Sequence, residues 1–356
     1  MRPARTNTTG TAGSRTGAGV AGAVRGRRAA VCASAAVVLV AASACSSGGD
    51  GDEPVRVGYI GTSSFAPLWV TAELFAEEHG LEVELEEFPS GSEILTNITT
   101  GNLDAGGVGI GAASYNAFDE DLPFVNVAPQ HGGYTEDYFA FSATVTDADG
   151  AAELGDDMSD LAGETFAVNS PGVVTDWMLG DALERAGLDY DDVEVETMPF
   201  PDMVPALASG AVAGAVLSEP FTTRAEEDGS AYRPWETPEE EGVPLTSLTY
   251  NSMWAESDPE TAEAFMAAYH DAALHIDEVG WEDDEILEII GEYTGQDPES
   301  VRGTRHHVFP TDLSVDMDKV NELQAFYSEI GELQYDGLID DEEMWDFSYR
   351  DAVLGD

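Results

Sequence analysis

LEVELEEFPSGSEILTNITTGNLDAGGVG, at residues 81–109, has the same order of predicted elements as DVEVETMPFPDMVPALASGAVAGAVLSEP at residues 192–220. Each segment contains an alternating strand, a Phe-Pro pair, a short helix, a glycine and a second strand made of small residues. Because this plan occurs twice, we expect two lobes of similar construction. Strand-like and helix-like segments also alternate around the repeats, which predicts an α/β fold with parallel strands joined by crossover helices.

Helix start and stop signals beside the repeats extend this pattern. The helix APLWVTAELFAEEHG precedes the first repeat and is predicted to end at Gly80. Within the first repeat, Ser92 is the predicted N-cap and Gly101 the predicted end of the short helix. From Pro259 onward the pattern becomes helical, with Asp258 as N-cap. An apolar stripe in this region predicts core packing, and it consists of Ala262, Phe265, Met266, Tyr269, Ala272, Ala273 and Ile276.

The N-terminal segment has the pattern of an export signal. Six arginines precede position 30, no acidic residue precedes Asp50, and an uncharged run follows at residues 29–44. Ala42-Ser43-Ala44-Cys45 resembles the lipobox of bacterial lipoproteins, in which the cysteine carries the lipid. We therefore expect residues 1–45 to be a signal peptide ending at the lipidation site Cys45, and residues 46–53 to be a flexible tether. The export route, Sec or twin-arginine, stays open.

Charge and cysteine content exclude several classes of function. Without the six leader arginines, 8 basic residues remain against 70 acidic ones, a formal net charge of −62. Nucleic acid is therefore excluded as a partner, and a saline exterior is a hypothesis for the habitat. The two cysteines are Cys32, inside the leader, and Cys45. The body consequently has no disulfide, no thiol nucleophile and no cysteine for a zinc site.

Short motifs between residues 55 and 250 identify a family resemblance. The motifs are Gly58-Tyr59, Ala66-Pro67-Leu68-Trp69, Gly80-Leu81-Glu82-Val83, Gly101-Asn102-Leu103-Asp104-Ala105-Gly106, Asp160-Leu161-Ala162-Gly163, Ser209-Gly210 and Glu219-Pro220. In this order and spacing, the chain resembles the substrate-binding proteins of nitrate, sulfonate, taurine and thiamine-precursor importers. One departure is Ala213-Gly214, where the family has Asp-Ala, so a polar anchor of that strand is missing in the second lobe.

The resemblance implies a two-lobed, type II periplasmic-binding-protein-like fold with two crossover segments and C-terminal helices. Lobe 1 is predicted at residues 54–143 and 248–356, and lobe 2 at residues 144–247. The crossings would lie near residues 141–147 and 243–250. It also implies a small-molecule ligand and ABC permease subunits as partners, with no cofactor. The protein would be lipid-anchored at the extracytoplasmic face of the cell membrane.

The predicted ligand site lies in the cleft between the lobes, because ligands of open α/β sheets bind beyond the carboxyl ends of strands. The candidate contacts are Ser63, Ser64, Phe65, Gly109, Ile110, His131, Tyr134, Ser170, Val173, Val174 and Glu219. The Glu219 carboxylate would accept hydrogen bonds from a ligand amine or hydroxyl. Because basic residues near these loops are scarce, we expect a neutral or amine-bearing organic ligand, although relatives also carry anions.

Two alternatives share this fold class. A sensor would present its ligand to a signalling receptor, and the sequence does not separate this role from transport. An enzyme would resemble the thiamine-pyrimidine synthases, but their cysteine-rich segment is missing here. His306 and His307 are adjacent, so in a helix they would point in different directions and not share a metal. Nucleophile-elbow, P-loop and zincin motifs are also absent from the sequence, so no catalytic residue and no metal ligand is predicted.

Overall fold

The structure is a computed structural model that describes residues 53–131, 141–144, 162–232 and 244–355. The predicted leader, Cys45, most of the tether, Tyr134 and the Asp160-Leu161 pair lie outside these residues. All the elements below belong to one compact unit, Gly48–Asp356. Among the described residues, no helix combines the length and apolar character needed to cross a lipid bilayer.

The first sheet lies in lobe 1 and is mixed. Its strands within the described ranges are β1 (Val55–Tyr59), β2 (Val83–Glu87), β3 (Ala105–Gly109), β4 (Val125–His131) and β10 (Thr246–Tyr250). They are arranged in the order β2-β1-β3-β10-β4. β1 runs parallel to β2 and β3, whereas β10 is antiparallel to both of its neighbours. The carboxyl ends of β1, β2 and β3 therefore meet at one edge of the sheet.

The second sheet repeats this arrangement in lobe 2. Its described strands are β5 (Phe141–Thr144), β6 (Thr165–Val168), β7 (Glu194–Thr197), β8 (Gly214–Val216) and β9 (Ala231–Tyr232). Their order is β7-β6-β8-β5-β9, again with parallel pairs around β6 and antiparallel pairs around β5. Position by position this matches the first sheet, as the sequence repeat predicts. The α/β class and the two similar lobes are confirmed.

The lobe boundaries differ from the predicted ones by a few residues. β5 pairs with β8 and β9, so residues 141–143 belong to the second lobe. Thr246 and Ser247 pair with β3 and β4, so they belong to the first lobe. The chain therefore crosses between His131 and Phe141 and again between Tyr232 and Thr246. Short strands next to a crossing look like linkers in sequence, and only their pairing reveals the sheet to which each belongs.

The described helices lie between strands along the chain as far as β10 and then follow one another. They are α1 (Ala66–Val70), α2 (Gly91–Thr99), α3 (Ala112–Asp119), α4 (Val174–Arg185), α5 (Phe200–Ser209), α6 (Phe221–Glu227), α7 (Ser252–Ser257), α8 (Pro259–Val279), α9 (Asp284–Thr294), α10 (Pro298–Arg302), α11 (Met317–Glu329) and α12 (Ser348–Leu354). A 3₁₀ turn at Ser63–Phe65 precedes α1, and a π turn at Thr71–Phe75 and a 3₁₀ turn at Glu77–His79 continue it. This helical stretch ends at Gly80, whose φ of 73° is the left-handed conformation expected of a helix-ending glycine.

The capping predictions are confirmed at α8 and wrong at α2. Asp258 accepts a hydrogen bond from the Thr261 N–H at 3.3 Å, and all seven members of the predicted apolar stripe of α8 are buried. At α2 the cap is Ser90, whose Oγ accepts the Glu93 N–H at 3.3 Å. Ser92 lies inside the helix instead. Both serines precede the apolar run, so the sequence pattern did not distinguish the extended residue from the helical one.

Asp104 and Ala213 occupy matching places in the two repeats and show what the missing polar anchor changes. The Asp104 carboxylate accepts the Arg56 N–H at 2.9 Å and pairs with the Arg56 guanidinium at 2.7 Å, which holds β1 beside β3. The Asp104 N–H also donates to the Arg56 carbonyl at 2.9 Å, and lobe 2 keeps the equivalent bond, since the Ala213 N–H donates to the Thr165 carbonyl at 2.8 Å. The parallel pairing of β6 with β8 therefore forms without a carboxylate anchor.

The helix α11 packs on both lobes and forms a further link between them. The Tyr115 hydroxyl of α3 donates to the Val320 carbonyl at 3.1 Å in lobe 1. In lobe 2, Phe326 lies over Gly180 of α4 and meets the Tyr190 ring edge to face, with 5.9 Å between the ring centroids. The helix α11 thus contacts α3 of lobe 1 and α4 of lobe 2.

Candidate ligand-binding site

The two lobes enclose a cleft at the carboxyl ends of their parallel strands. Its volume, counted out to the open mouth, is about 640 Å³. The lining residues are Ile60, Thr62, Ser64, Phe65, Gly91, Gly109, His131, Leu245 and Thr246 from lobe 1, and Asn169, Val173, Val174, Thr175, Met178, Phe200, Val216, Leu217 and Ser218 from lobe 2.

Hydroxyl groups line the lobe 1 side of the cleft just after β1. The side chains of Thr62 and Ser64 are hydrogen-bonded to each other at 2.8 Å and are almost fully buried. The Gln130 side chain donates to the Ser64 carbonyl at 3.0 Å and so holds the turn in place. Phe65, 3% exposed, closes the floor beneath them. This wall offers neutral groups that can donate or accept hydrogen bonds.

His131 ends β4 and forms another part of the lobe 1 wall. Its side chain is buried, and burial lowers the pKa of the imidazole to about 3. The ring is therefore neutral at ordinary pH. Its centroid lies 5.7 Å from that of His307, whose pKa is also lowered by burial. His131 can therefore exchange hydrogen bonds with a ligand but supplies no positive charge.

The lobe 2 wall begins with the turn between β6 and α4. The Thr175 hydroxyl donates to the Asn169 side-chain oxygen at 2.8 Å. Behind the turn, the Asp176 carboxylate accepts the Gly172 N–H and the Tyr190 hydroxyl, the latter at 2.7 Å. Burial raises the pKa of Asp176 to about 6. This network sets the position of the turn that faces lobe 1.

The lobes touch along the rim of the cleft. The Ser63 N–H and hydroxyl both donate to the Glu219 carbonyl, at 3.0 and 3.2 Å. On another side, the Ala113 N–H donates to the Gly172 carbonyl at 3.1 Å. Next to this second contact is Gly111, where a Cβ atom would lie 2.5 Å from the Gly172 carbonyl oxygen. Glycine is required there because two backbones from different lobes approach each other closely.

The electrostatics of the cleft favour a hydrogen-bond acceptor as the ligand group. Among the described lining residues there is no Asp, Glu, Lys or Arg. Three helices of eight or more residues, α2, α4 and α5, begin at the wall with Gly91, Val174 and Phe200. Helix N-termini carry unpaired N–H groups and a partial positive charge, so they attract oxyanions and other oxygen acceptors. In the described part of the chain, no cluster of three or more His, Cys, Asp or Glu is arranged to hold a metal ion.

The structure brings together six of the residues that the sequence proposed as ligand contacts. Those lining the cleft are Ser64, Phe65, Gly109, His131, Val173 and Val174. Four others lie outside the lining. Ser63 joins the rim contact, Ile110 donates its N–H to the Leu245 carbonyl at 2.9 Å, and Ser170 faces Ser92 with 3.4 Å between the hydroxyls.

Glu219 is the fourth of these, and its carboxylate is engaged next to the cleft. It accepts the Thr223 N–H at 3.1 Å and the Thr223 hydroxyl at 3.0 Å. The side chain thereby holds the backbone at the start of α6.

Sequence reasoning missed several lining residues. Thr62 and Thr175 are the immediate neighbours of the predicted contacts Ser63 and Val174. Asn169 directly follows β6 and Ser218 is the second residue after β8, so their positions beyond the carboxyl ends of these strands were an available signal. No sequence signal pointed to Met178, Phe200 or Leu245. These residues reach the cleft only through the orientation of their elements and the approach of the opposite lobe.

Comparison with known proteins agrees with this geometry. The model of the NMT1-like family matches residues 48–291. Brucella abortus (strain 2308) has a relative, named only provisionally as a binding protein, that is 31% identical over 177 residues, covering 47% of this chain and 49% of the relative. The chain thus spans about half the length of that relative. The taurine-binding periplasmic protein of Escherichia coli (strain K12) is 24% identical over 220 residues, covering 61% of this chain and 65% of that protein.

Solved structures share the fold. The ligand-binding component of an ABC-type import system from Staphylococcus aureus superposes with a TM-score of 0.70 at 13% identity, covering 85% of this chain and 99% of that chain. A desulfurization enzyme, DSZB, superposes with a TM-score of 0.56 at 16% identity, with the same two coverages. These identities show the fold alone. Since the family model covers well over half of the sequence and both lobes have the expected plan, the chain belongs to the NMT1-like family.

Proposed function

We propose that this chain is the extracytoplasmic substrate-binding component of an ABC importer and captures one small molecule between its lobes. The observation that carries the proposal is the cleft itself, because both lobes line it and three helix N-termini open into it. The E. coli relative is named as a taurine-binding periplasmic protein, and the S. aureus structure as a ligand-binding component of an import system. Both names support the proposal that this chain captures a small molecule for transport.

The ligand best matched by the cleft is a small organic molecule or oxyanion that presents oxygen acceptors. Hydroxyl groups, a neutral imidazole and helix N-termini can all donate hydrogen bonds to such a group. An amine-bearing ligand, which the sequence favoured, would need an anionic partner. No carboxylate lines the described cleft, and that of Glu219 is engaged by Thr223. A neutral ligand with several acceptors remains compatible with the same groups.

Catalysis receives less support than binding, although a desulfurization enzyme shares the fold. General acid–base chemistry needs a group whose pKa lies near the working pH, held against the reacting atoms. Within the described lining, His131 is the titratable side chain, and its pKa of about 3 keeps it neutral at ordinary pH. These groups fit a cleft that holds its ligand unchanged.

The screen that tests the proposal uses the chain from Asp50 onward. We expect one class of small molecule to raise the melting temperature, because a ligand that binds only the folded state at 100 times its Kd adds about 2.7 kcal/mol of stability. The panel contains nitrate, taurine, alkyl sulfonates, aminopyrimidines and small carboxylates. Sodium chloride serves as the control for general salt effects on this acidic chain. If no compound stabilises the protein beyond the salt control, the proposed capture is wrong.

We further propose that Cys45 carries the lipid that anchors the protein, and that permease subunits are its membrane partners. The support is the Ala42-Ser43-Ala44-Cys45 pattern after an uncharged run. Cells expressing Cys45→Ala should contain the protein in the soluble extracytoplasmic or culture fraction rather than in the membrane fraction. Cys32→Ala is the matched control and should remain in the membrane fraction. Membrane retention of Cys45→Ala at the wild-type level would contradict the anchor.

A further inference from the structure

A second chamber adjoins the cleft and is also built from both lobes. Its volume, counted out to the open mouth, is about 910 Å³. Ile60 and Phe200 line both spaces, so the two are neighbours separated by these side chains. We call the two spaces the inner cleft and the outer chamber. A ligand that reached past Ile60 and Phe200 would enter the outer chamber.

The walls of the outer chamber are the two Phe-Pro motifs of the sequence repeat. Phe88-Pro89 follows β2 in lobe 1, and Phe200-Pro201 begins α5 after β7 in lobe 2. Because β2 and β7 occupy equivalent positions in the two sheets, the repeat places the motifs on opposite sides of the interlobe space. Phe200 is stacked on Phe221, with 6.2 Å between the ring centroids and an interplanar angle of 13°. The chamber is thus lined by the half-buried Phe88 ring from lobe 1 and by exposed proline rings and a buried phenylalanine pair from lobe 2.

Charged side chains at the chamber do not favour either sign. Arg224 lines it, but this guanidinium lies 4.0 Å from the Asp228 carboxylate in an exposed pair. Glu87 also lines it and lies close to Gly61. An acid and a base, each open to water, contribute little net attraction. Recognition in the outer chamber therefore rests on its rings.

From this arrangement we propose that the outer chamber is a subsite for an aromatic ring of the ligand, whose polar head is held in the inner cleft. The Phe88 ring of lobe 1 and the proline rings of lobe 2 provide stacking surfaces, and aromatic pairs gain affinity beyond the area that they bury. The ligand class is then an aryl compound with a small head that carries oxygen acceptors. This inference rests on the proposed function, because it assumes that the head binds in the inner cleft.

Titration of the purified full-length protein with four pairs of compounds tests the subsite. The pairs are methanesulfonate and benzenesulfonate, acetate and benzoate, acetamide and benzamide, and methylamine and benzylamine. For each head group that binds, the aryl member should bind at least tenfold more tightly than the methyl member. In Phe88→Ala, which removes one ring face, and in Pro201→Trp, which fills the chamber, that ratio should fall below threefold while the affinity for the methyl member is unchanged.

Asp202→Trp is the matched control, since it adds the same side chain to an exposed neighbouring position of α5 outside the chamber lining. This variant should keep the full aryl preference. Equal binding of the methyl and aryl members overturns the aromatic subsite and leaves the proposed function intact. An aryl preference that persists in both chamber variants also overturns the subsite. If none of the eight compounds binds, the subsite is rejected, and the broader thermal screen then decides separately whether the chain captures ligands at all.

Discussion

Gly111→Ala is expected to weaken ligand binding at least tenfold, because its methyl group would hold the two lobes apart. The new Cβ would lie 2.5 Å from the Gly172 carbonyl oxygen and 2.9 Å from the Val173 Cα. Both are backbone atoms of the opposite lobe and cannot rotate away. A tenfold loss corresponds to about 1.4 kcal/mol. The measurement is a titration of the ligand that the thermal screen identifies.

The matched control is Gly109→Ala, on the same side of the cleft. There the Cβ would meet the nearest atom, Val174 Cγ1, at 3.6 Å, which is an ordinary contact. We expect this variant to bind within about threefold of wild type, or about 0.6 kcal/mol. The backbone at Gly111 is extended, so alanine there should cost ~1 kcal/mol or less of stability as a replacement for the helix N-cap glycine. If Gly111→Ala binds like Gly109→Ala, the lobes do not meet at Gly172 in the bound state.

The two-lobed fold was predictable because its evidence is local and occurs twice. Alternating strands, glycine stops and N-caps are properties of short segments, and the repeat at residues 81–109 and 192–220 showed that two sheets share one plan. Their strand orders do match. The lobe boundaries differed by a few residues because sheet membership is set by pairing between distant residues. Phe141–Thr144 is four residues long, and only its bonds to β8 and β9 assign it to lobe 2.

The candidate site was predictable at the level of loops and less so at the level of side chains. The rule that ligands bind beyond strand ends pointed to the carboxyl ends of β1, β3, β4 and β6, and each strand end or the turn after it supplies residues to the cleft. Which side chain of a turn faces inward depends on backbone torsions and on the opposite lobe. Ser63 and Ser64 are adjacent, yet the first joins the lobe contact and the second lines the cleft.

The role of Glu219 could not be decided from the sequence. A carboxylate before Pro220 can hold a ligand or stabilise the helix that follows, and both uses need the same residue at the same place. In the structure, the Glu219 carboxylate accepts hydrogen bonds from Thr223, the third residue of α6. The signal that favoured the helix was a threonine four positions along the chain, which the sequence contained but which many loops also contain.

The central claim, capture of one molecule between the lobes, is tested most directly by filling the inner cleft. Val174 is the first residue of α4 and lines the cleft opposite Gly109. An indole at this position would occupy the ligand space. Val174→Trp is therefore expected to lose binding about 100-fold or more, corresponding to about 2.7 kcal/mol. Glu184→Trp is the control, since position 184 is exposed on the same helix.

The measurement is isothermal titration calorimetry of the full chain with the ligand found in the screen, alongside melting curves of each ligand-free protein. The account predicts one ligand per chain for wild type and for Glu184→Trp. For Val174→Trp it predicts no detectable binding heat at the same concentrations, with a ligand-free melting temperature close to that of the control. Binding of Val174→Trp with wild-type affinity and stoichiometry would contradict capture in the interlobe cleft.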